Sequence, residues 1–393
     1  MDNGFKNMYI PRKLEDEVLQ SLNYNPVTAI IGPRQCGKST LVKHLLEGKK
    51  NVVFLDLERP SDLQKLDNAE WFLSNQKENL VCIDEVQRKP ELFSLIRSLV
   101  DEWGGTGHFL VLGSSSRELL KQSSESLAGR ISYKYLRPFL FNELNSSTTL
   151  EHYISKGGFP RSVLEENTER SILWRTDFIS TFLERDLLQW GGFYPLTMRR
   201  LWQMLAHING QTANYSSLSS TLSVSNVTIH NYMDLLEGTF MIEVLPPYFS
   251  NLKKRLVKAP RVYIADSGIT AALLGLETFE QLTGHPAIGA IWEQVVLSHL
   301  KSFFPLADFF YYRTSNGAEI DIVMTYRGMV FAFECKASLS PILSKGNFFA
   351  IEDINPNATF VVAPVKSGWP MKQNIEVVSI LDLKDKIEEQ LKV

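Results

Sequence analysis

The sequence has little of three features that would place it in a special class. It contains only three cysteines in 393 residues, no apolar run as long as a membrane span, and no large excess of one charge. Cys36, Cys82 and Cys335 have no metal-ligand spacing and do not suggest a disulfide framework, so we expect a reducing, cytoplasmic environment. Residues 1–9 have no apolar signal core, and no segment predicts membrane contact.

The composition indicates a globular protein of more than one domain. Hydrophobic residues make up 44% and charged residues 22% of the chain, and its length predicts about two to four domains. The net charge of −3 excludes a general electrostatic field that would attract nucleic acid. Any contact with nucleic acid must therefore come from a local patch.

The clearest motif is the run Gly32 to Thr40, which fits the pattern G-x-x-x-x-G-K-[ST]. The apolar run Val27 to Ile31 predicts a strand before it, and Leu41 to Leu46 predict a helix after it. Its glycines let backbone N–H groups face a phosphate chain, while Lys38 can reach the β- and γ-phosphates and Ser39 can ligate Mg²⁺. We therefore predict an ATP site. Its nucleotide-binding residues are Gly32, Pro33, Arg34, Gln35, Cys36, Gly37, Lys38, Ser39, Thr40 and Asp84.

Two carboxylates follow a second apolar run, Leu80 to Ile83. The run predicts a buried strand with Asp84 and Glu85 at its carboxyl end, where open α/β sheets bind ligands. Beside a P-loop, Asp84 would help hold Mg²⁺ and Glu85 would polarise the attacking water. The alternative is a buried strand that merely ends in solvated acids.

Two more strands are predicted, at Asn51 to Leu57 and at His108 to Leu112. The second ends in a serine-rich segment, and Ser114 or Ser115 could contact the γ-phosphate or the attacking water. An ordinary serine-rich turn is the alternative.

The order of P-loop, acidic strand and polar strand end resembles the AAA+ superfamily. More narrowly, the chain is similar to a large family of bacterial and archaeal ATPases with a C-terminal domain of unknown function. The segments that carry the narrower resemblance are Tyr9-Ile10-Pro11-Arg12, Asp84-Glu85-Val86-Gln87, Ser126-Leu127-Ala128-Gly129-Arg130, Pro138-Phe139 through Glu143, and Gly157-Gly158-Phe159-Pro160.

The AAA+ resemblance implies an oligomer in which an arginine of one subunit reaches the γ-phosphate bound by its neighbour. Arg130 is the candidate, since a guanidinium is always charged and binds phosphate oxygens bidentately. Arg117 and Arg161 are alternatives. A structural hydrogen bond of Arg130 is the competing explanation.

The middle of the chain predicts a helical lid followed by a winged-helix domain. Residues Arg170 to Trp190 have apolar side chains at helical spacing, which fits a small lid packed on the nucleotide. A helix-turn-helix pattern followed by a strand then predicts the winged helix. Its elements are expected at Met198 to His207, Tyr215 to Leu222, Val227 to Leu236, and Phe240 to Leu245.

Two features of this region bear on its partners. The polar face of the candidate recognition helix has no Arg or Lys, which favours a protein partner over DNA. The stretch Lys253 to Arg261 is the densest basic segment, and Tyr248 and Phe249 near it could stack on bases. A solvated linker or a subunit contact explains the basic stretch equally well.

The C-terminal part predicts a second charged site. Asp321 lies on one predicted strand, and Glu334 and Lys336 lie two residues apart on the next, so these two share a face. Asp321 and Glu334 could hold Mg²⁺ or Mn²⁺, Lys336 could assist, and Glu293 could complete the acidic cluster. The arrangement resembles the PD-(D/E)xK restriction-endonuclease-like fold, although the full P-D dipeptide is missing. A sheet with solvated charges, or a nuclease fold that is silent or gated, are the alternatives.

We therefore predict an α/β protein with an AAA+-like parallel sheet, a helical lid, a winged helix and a nuclease-like α/β domain. The predicted boundaries are 1–145, 146–192, 193–250 and 251–393. The predicted function is a Mg²⁺-dependent ATPase whose turnover gates or moves DNA or another nucleic acid for the nuclease-like domain. The alternative is a nucleotide-switched protein-interaction ATPase with a catalytically silent nuclease fold.

Overall fold

The computed structural model of the protein describes residues 9–114, 127–186, 193–249 and 257–392. The described residues form two units, of which the first extends to Phe139 and includes Gly238–Phe240, while the second holds the remainder. Some predicted features lie outside the described residues: Ser115, Arg117, the end of the predicted helix towards Trp190, and Lys253 to Arg255.

Five strands and five helices make up the described part of the first unit. The strands are β1 (Val27–Ile31), β2 (Val52–Asp56), β3 (Leu80–Asp84), β4 (Phe109–Gly113) and β5 (Ile131–Tyr135). The helices are α1 (Glu15–Tyr24), α2 (Lys38–Leu46), α3 (Pro60–Lys65), α4 (Ala69–Ser74) and α5 (Leu92–Trp103). All neighbouring strands are parallel, in the order β2-β3-β4-β1-β5. The predicted α/β fold with a parallel sheet is confirmed.

Both faces of this sheet are covered, which explains why its strands are apolar without alternation. Val27, Ala29 and Ile31 of β1 enter one hydrophobic core, whereas Ile30 enters the core on the opposite face with Cys82. The predicted strand positions hold to within one residue at each end. The helix after the P-loop begins at Lys38 rather than Leu41, because the left-handed Gly37 (φ 102°) ends the loop directly before it.

The first half of the second unit is mainly helical. Its helices are α6 (Leu150–Lys156), α7 (Pro160–Val163), α8 (Thr168–Thr181), α9 (Pro195–His207), α10 (Tyr215–Leu222), α11 (Asn226–Gly238) and α12 (Ser267–Leu274), with a π-helical turn at Phe182–Asp186. The strands β6 (Gln211–Thr212), β7 (Ile242–Leu245) and β8 (Arg261–Ile264) form an antiparallel sheet in the order β6-β8-β7. Phe178 of the predicted lid and Trp202 of the predicted winged helix belong to one hydrophobic core.

The second half of this unit is built on a six-stranded mixed sheet in the order β13-β14-β12-β11-β10-β9. Its strands are β9 (Asp308–Arg313), β10 (Glu319–Tyr326), β11 (Met329–Cys335), β12 (Ala358–Val362), β13 (Trp369–Lys372) and β14 (Ile375–Val378). Its helices are α13 (Phe279–Thr283), α14 (Ile288–Phe303), α15 (Lys345–Ile354) and α16 (Leu383–Leu391). The neighbours β11, β12 and β14 run parallel, and the remaining pairs are antiparallel.

None of the helices in the described residues is both long enough and apolar enough to cross a bilayer.

Candidate functional site

The P-loop wraps around its own lysine. Lys38 is the first residue of α2 and is buried, and its Nζ donates hydrogen bonds to the carbonyl oxygens of Gly32 (3.0 Å) and Pro33 (2.8 Å). A buried ammonium needs such partners, because an unpaired charge in the interior costs several kcal/mol. The loop therefore supplies the hydrogen-bond partners of its own buried cation.

The first glycine of the loop is required by a close backbone approach rather than by its dihedral angles. A Cβ atom at Gly32 would lie 2.0 Å from the carbonyl oxygen of Leu136, which follows β5. Arg12 braces the same region: its guanidinium donates to the carbonyl oxygens of Cys36 (3.2 Å) and Arg137 (2.7 Å). No role of Arg12 was predicted from the sequence, although Arg12 belongs to a segment that carries the family resemblance.

The two predicted magnesium ligands meet at the sheet edge. Ser39 Oγ donates to Asp84 Oδ2 at 2.6 Å, and the second carboxylate oxygen of Asp84 accepts from the backbone N–H of Glu85 at 3.0 Å. A hydroxyl and a carboxylate side by side are oxygen donors of the kind that Mg²⁺ takes, usually together with waters and phosphate oxygens. These residues fit a magnesium ion.

Glu85 lies directly beyond β3 with a left-handed backbone (φ 55°). Its Oε2 accepts hydrogen bonds from the amide of Gln87 and from Ser114 Oγ, the latter at 3.4 Å. Gln87 also donates to Ser114 Oγ at 3.1 Å. Because β4 lies between β1 and β3, the structure brings Ser114 and Glu85 to the edge that carries the P-loop. Gln87, which was not predicted as a site residue, lies only two residues after Glu85 in the sequence.

The predicted arginine finger lies at the opposite edge. Arg130 precedes β5, its carbonyl oxygen accepts from the N–H of Val27 at the start of β1, and its guanidinium pairs with Asp101 (Nη2 to Oδ2, 2.9 Å). The bond from Arg130 lowers the pKa of the Asp101 carboxyl. Arg130 is therefore remote from the P-loop of its own chain. Arg161 is the second residue of α7 and is exposed.

The second charged site forms in the C-terminal half of the second unit. Asp321 Oδ2 accepts from the backbone N–H of Cys335 at 2.9 Å, which places Asp321 of β10 beside the end of β11. Glu334 Oε1 accepts from Lys336 Nζ at 2.7 Å. Glu293 of α14 accepts from the hydroxyl of Tyr263 at 2.9 Å. The structure thus brings the four predicted residues together.

A residue that was not predicted for this site lies within it. The guanidinium of Arg261 is buried and is shared by three carboxylates: it pairs with Glu319, and its Nη1 lies 3.4 Å from Asp321 Oδ1 and 3.7 Å from Glu293 Oε2. It also lies over the ring of Tyr311, 4.9 Å from its centroid. Arg261 was expected to belong to an exposed basic stretch, whereas the structure buries its side chain.

The protonation of the cluster follows from its burial. Burial, with the nearby negative charge of Asp321, raises the pKa of Glu293 to about 8, and the same two causes raise the pKa of Glu334 to about 8. Burial disfavours the charged form of Arg261, but its interactions with Tyr263, Glu293 and Asp321 outweigh this effect and raise the pKa of Arg261. The cluster is therefore arranged around a permanent guanidinium charge.

The residues of this cluster do not fit a divalent metal as they stand. Both oxygens of Asp321 are engaged, one by Arg261 and one by the Cys335 N–H. Within the described ranges, no group of three or more His, Cys, Asp or Glu side chains is placed to hold a metal ion. The acidic residues and Lys336 lie close together, as the sequence predicted, but the guanidinium of Arg261 lies among the carboxylates.

Comparisons with known proteins match three successive segments of the chain. Residues 24–145 match the family described as an AAA domain, and residues 147–280 and 288–383 match two domains of unknown function, DUF8612 and DUF4143. The uncharacterized protein Rv2008c of Mycobacterium tuberculosis is 35% identical over 360 residues, which are 91% of this chain and 81% of that protein. The uncharacterized protein Mb2031c of Mycobacterium bovis matches to the same extent.

Among solved structures, the chain is similar to the Walker-type ATPase PABY2304 of Pyrococcus abyssi, with 16% identity and a TM-score of 0.49 over 68% of this chain and 96% of that one. The match to the AAA domain covers the P-loop, the acidic strand and the strand that precedes Ser114. Residues 24–145 are therefore an AAA-type P-loop ATPase domain, and the chain belongs to the same family as the two mycobacterial proteins.

Proposed function

We propose that the first unit hydrolyses ATP with Mg²⁺, and that each predicted residue has a distinct part in the reaction. One observation carries the proposal: Lys38, Ser39, Asp84, Glu85 and Ser114 gather at one edge of a parallel sheet. Ligands of open α/β sheets bind at the carboxyl ends of the strands, which is this edge.

The roles follow from the chemistry of each group. The backbone N–H groups of Gly32 to Thr40 and the ammonium of Lys38 bind the phosphates, and Ser39 and Asp84 hold the metal. Bound Mg²⁺ would neutralise charge on the phosphate oxygens. Glu85 polarises the attacking water, while Ser114 and Gln87 orient the Glu85 carboxylate through their hydrogen bonds.

Replacing Lys38 with alanine tests the proposal. We expect hydrolysis of ATP to fall by about 10²-fold or more, because the cation that stabilises the transferred phosphoryl group is lost. Phosphate release at saturating Mg²⁺–ATP measures the effect. Lys43→Ala is the matched control, since this lysine of the same helix contacts Phe54 rather than the P-loop. Unchanged hydrolysis by Lys38→Ala would make the proposed ATPase site wrong.

Arg130 is proposed to act on the nucleotide of a neighbouring subunit. Its exposure and its distance from its own P-loop support this arrangement, which requires a homo-oligomer. We expect Arg130→Ala to lower hydrolysis by about 10²-fold or more, and mixing it with inactive Lys38→Ala protein to restore part of the activity. Asp101→Ala, which removes only the partner of Arg130, is the control. Failure of the mixture to regain activity would contradict a finger in trans.

For the second unit, the geometry favours the nucleotide-switched interaction protein over the active nuclease. The order α9, β6, α10, α11, β7 and β8 supports a winged helix, although β8 lies beyond the predicted boundary at residue 250. The four-part division remains a prediction. In the nuclease-like part, Arg261 engages the acids that a metal would need. We propose a protein partner for the winged helix and no metal-dependent cutting by the unmodified chain.

Cleavage assays separate these two functions. We expect no Asp321-dependent cutting of end-labelled single- or double-stranded DNA or RNA with Mg²⁺ or Mn²⁺, with or without ATP. Asp321→Ala protein serves as the control for contaminating nucleases. Cutting by the native chain that disappears in Asp321→Ala would establish the nuclease and exclude the silent fold.

A further inference from the structure

The buried acidic cluster of the second unit contains its own cation. Glu293, Glu319 and Asp321 come from α14 and β10, and all three pair with the guanidinium of Arg261. Arg261 is 3% exposed, so these pairs are formed away from water. Carboxylates this close repel one another unless a cation lies between them.

Strand β8 fixes Arg261 in this place. Arg261 is the first residue of β8, which is paired with β6 on one side and β7 on the other. Because side chains alternate along a strand, Arg261 and Tyr263 point to the same face, and both contact Glu293. Val262 and Ile264 on the other face belong to the hydrophobic core of the helical half. The position of the guanidinium is therefore set by strand pairing and packing rather than by a flexible surface loop.

Two buried polar atoms of the cluster lack a hydrogen-bond partner even though Arg261 is present. Among the described residues, Nε of Arg261 and Oε2 of Glu334 have no hydrogen-bond partner. Glu334 is itself buried and lies next to Asp321 through the pairing of β10 with β11. Unpaired buried polar atoms of this kind are rare and costly. A carboxylate oxygen without a donor is a ligand for a hard cation.

We propose that Arg261 closes this cluster to divalent ions, so that the cluster holds either the guanidinium of Arg261 or a divalent hard cation, but not both. The structure shows the closed form, in which Arg261 occupies the centre of the carboxylates. Withdrawal of Arg261 leaves Glu293 and Asp321 without the cation that they share, while Glu334 keeps its pair with Lys336. A divalent ion would then balance the uncompensated charge. This proposal does not depend on ATP hydrolysis.

Manganese binding by the full chain tests the proposal without nucleotide. Asp84→Ala is used as the background, because it removes the magnesium site of the P-loop unit. In this background we expect Arg261→Met to bind one Mn²⁺ at least tenfold more tightly than the protein with Arg261, as measured by electron paramagnetic resonance titration. Adding Asp321→Ala should abolish the gained binding. Equal Mn²⁺ affinity with Arg261 present, or no binding by folded Arg261→Met, would overturn the proposal.

Two further variants keep the test decisive if Arg261→Met does not fold. Arg261→Gln removes the guanidinium charge but keeps a polar side chain at this position and leaves Asp321 and Glu334 intact. If Arg261 closes the cluster, Arg261→Gln should bind Mn²⁺ at least tenfold more tightly than the protein with Arg261; an unchanged or lower affinity would overturn the proposal. Arg313→Met is the matched control, since Arg313 also pairs with Glu319 (3.5 Å) but is partly exposed. It should bind Mn²⁺ no better than the parent.

Discussion

Replacing Glu85 with glutamine is expected to lower kcat for ATP hydrolysis by about 10²–10⁴-fold, the usual contribution of a positioned general base. Glutamine keeps the size of the side chain but cannot polarise or deprotonate the attacking water. Because Glu85 contacts neither the P-loop lysine nor Ser39 in the described hydrogen bonds, the Kd of ATP should stay within about threefold. Phosphate release and equilibrium binding of ATP measure the two effects separately.

Ser114→Ala tests whether Ser114 acts on the reaction only through Glu85. Ser114 acts through Glu85, so its removal should reduce kcat only about tenfold and leave the pairing of Glu85 with Gln87 in place. A larger loss for Ser114→Ala than for Glu85→Gln would mean that Ser114 itself contacts the reacting groups. Full activity of Glu85→Gln would remove Glu85 from the mechanism.

The second large effect is expected from Gly268→Ala, which should destabilise the second unit by about 3 kcal/mol or more. A Cβ atom there would lie 2.2 Å from the carbonyl oxygen of Lys156 and 2.8 Å from the backbone nitrogen of Gly157. These are backbone atoms, so no change of rotamer can relieve the clash, and α6 must move away from α12. Urea denaturation followed by circular dichroism measures the change.

Gly289→Ala is the matched control for this substitution. Gly289 lies in α14, and a Cβ atom there would meet nothing within 4 Å. Alanine is the better helix former, so this variant should gain up to about 1 kcal/mol. Equal stability of Gly268→Ala and the native protein would show that α6 and α12 do not approach each other as closely as described.

This contact also explains a segment of the family resemblance whose role the sequence alone did not reveal. Asp266 precedes α12, caps it by accepting from the N–H of Ile269 (3.0 Å), and accepts from the N–H of Gly158 (2.7 Å). A Cβ atom at Gly157 would lie 2.1 Å from the Asp266 carboxylate. The paired glycines thus let two helix ends share one buried carboxylate.

The residues of the candidate nucleotide site could be predicted from the sequence because each of its motifs is local. The P-loop is one continuous run of residues. An apolar strand followed by two carboxylates predicts that these carboxylates lie at the carboxyl end of the sheet, where ligands bind. Arg12 could not be found in this way, since its partners Cys36 and Arg137 are 24 and 125 residues away. Contacts of that separation depend on the order of strands in the sheet, which no local pattern records.

Arg261 was misjudged for a related reason. It ends a run of basic residues, and such runs are usually solvated. The alternation Arg261-Val262-Tyr263-Ile264 could have indicated a strand with one polar face. Its acidic partners, however, lie 32 to 60 residues further along the chain, on elements that only the tertiary fold brings to β8.

The two faces of β8 contact different parts of the second unit. One face holds Arg261 against the carboxylates, and the other holds Val262 and Ile264 in the core beneath α9 and α11. The residues of the two faces alternate along one short strand, so a shift of β8 with the helical core would also move the guanidinium relative to its carboxylates.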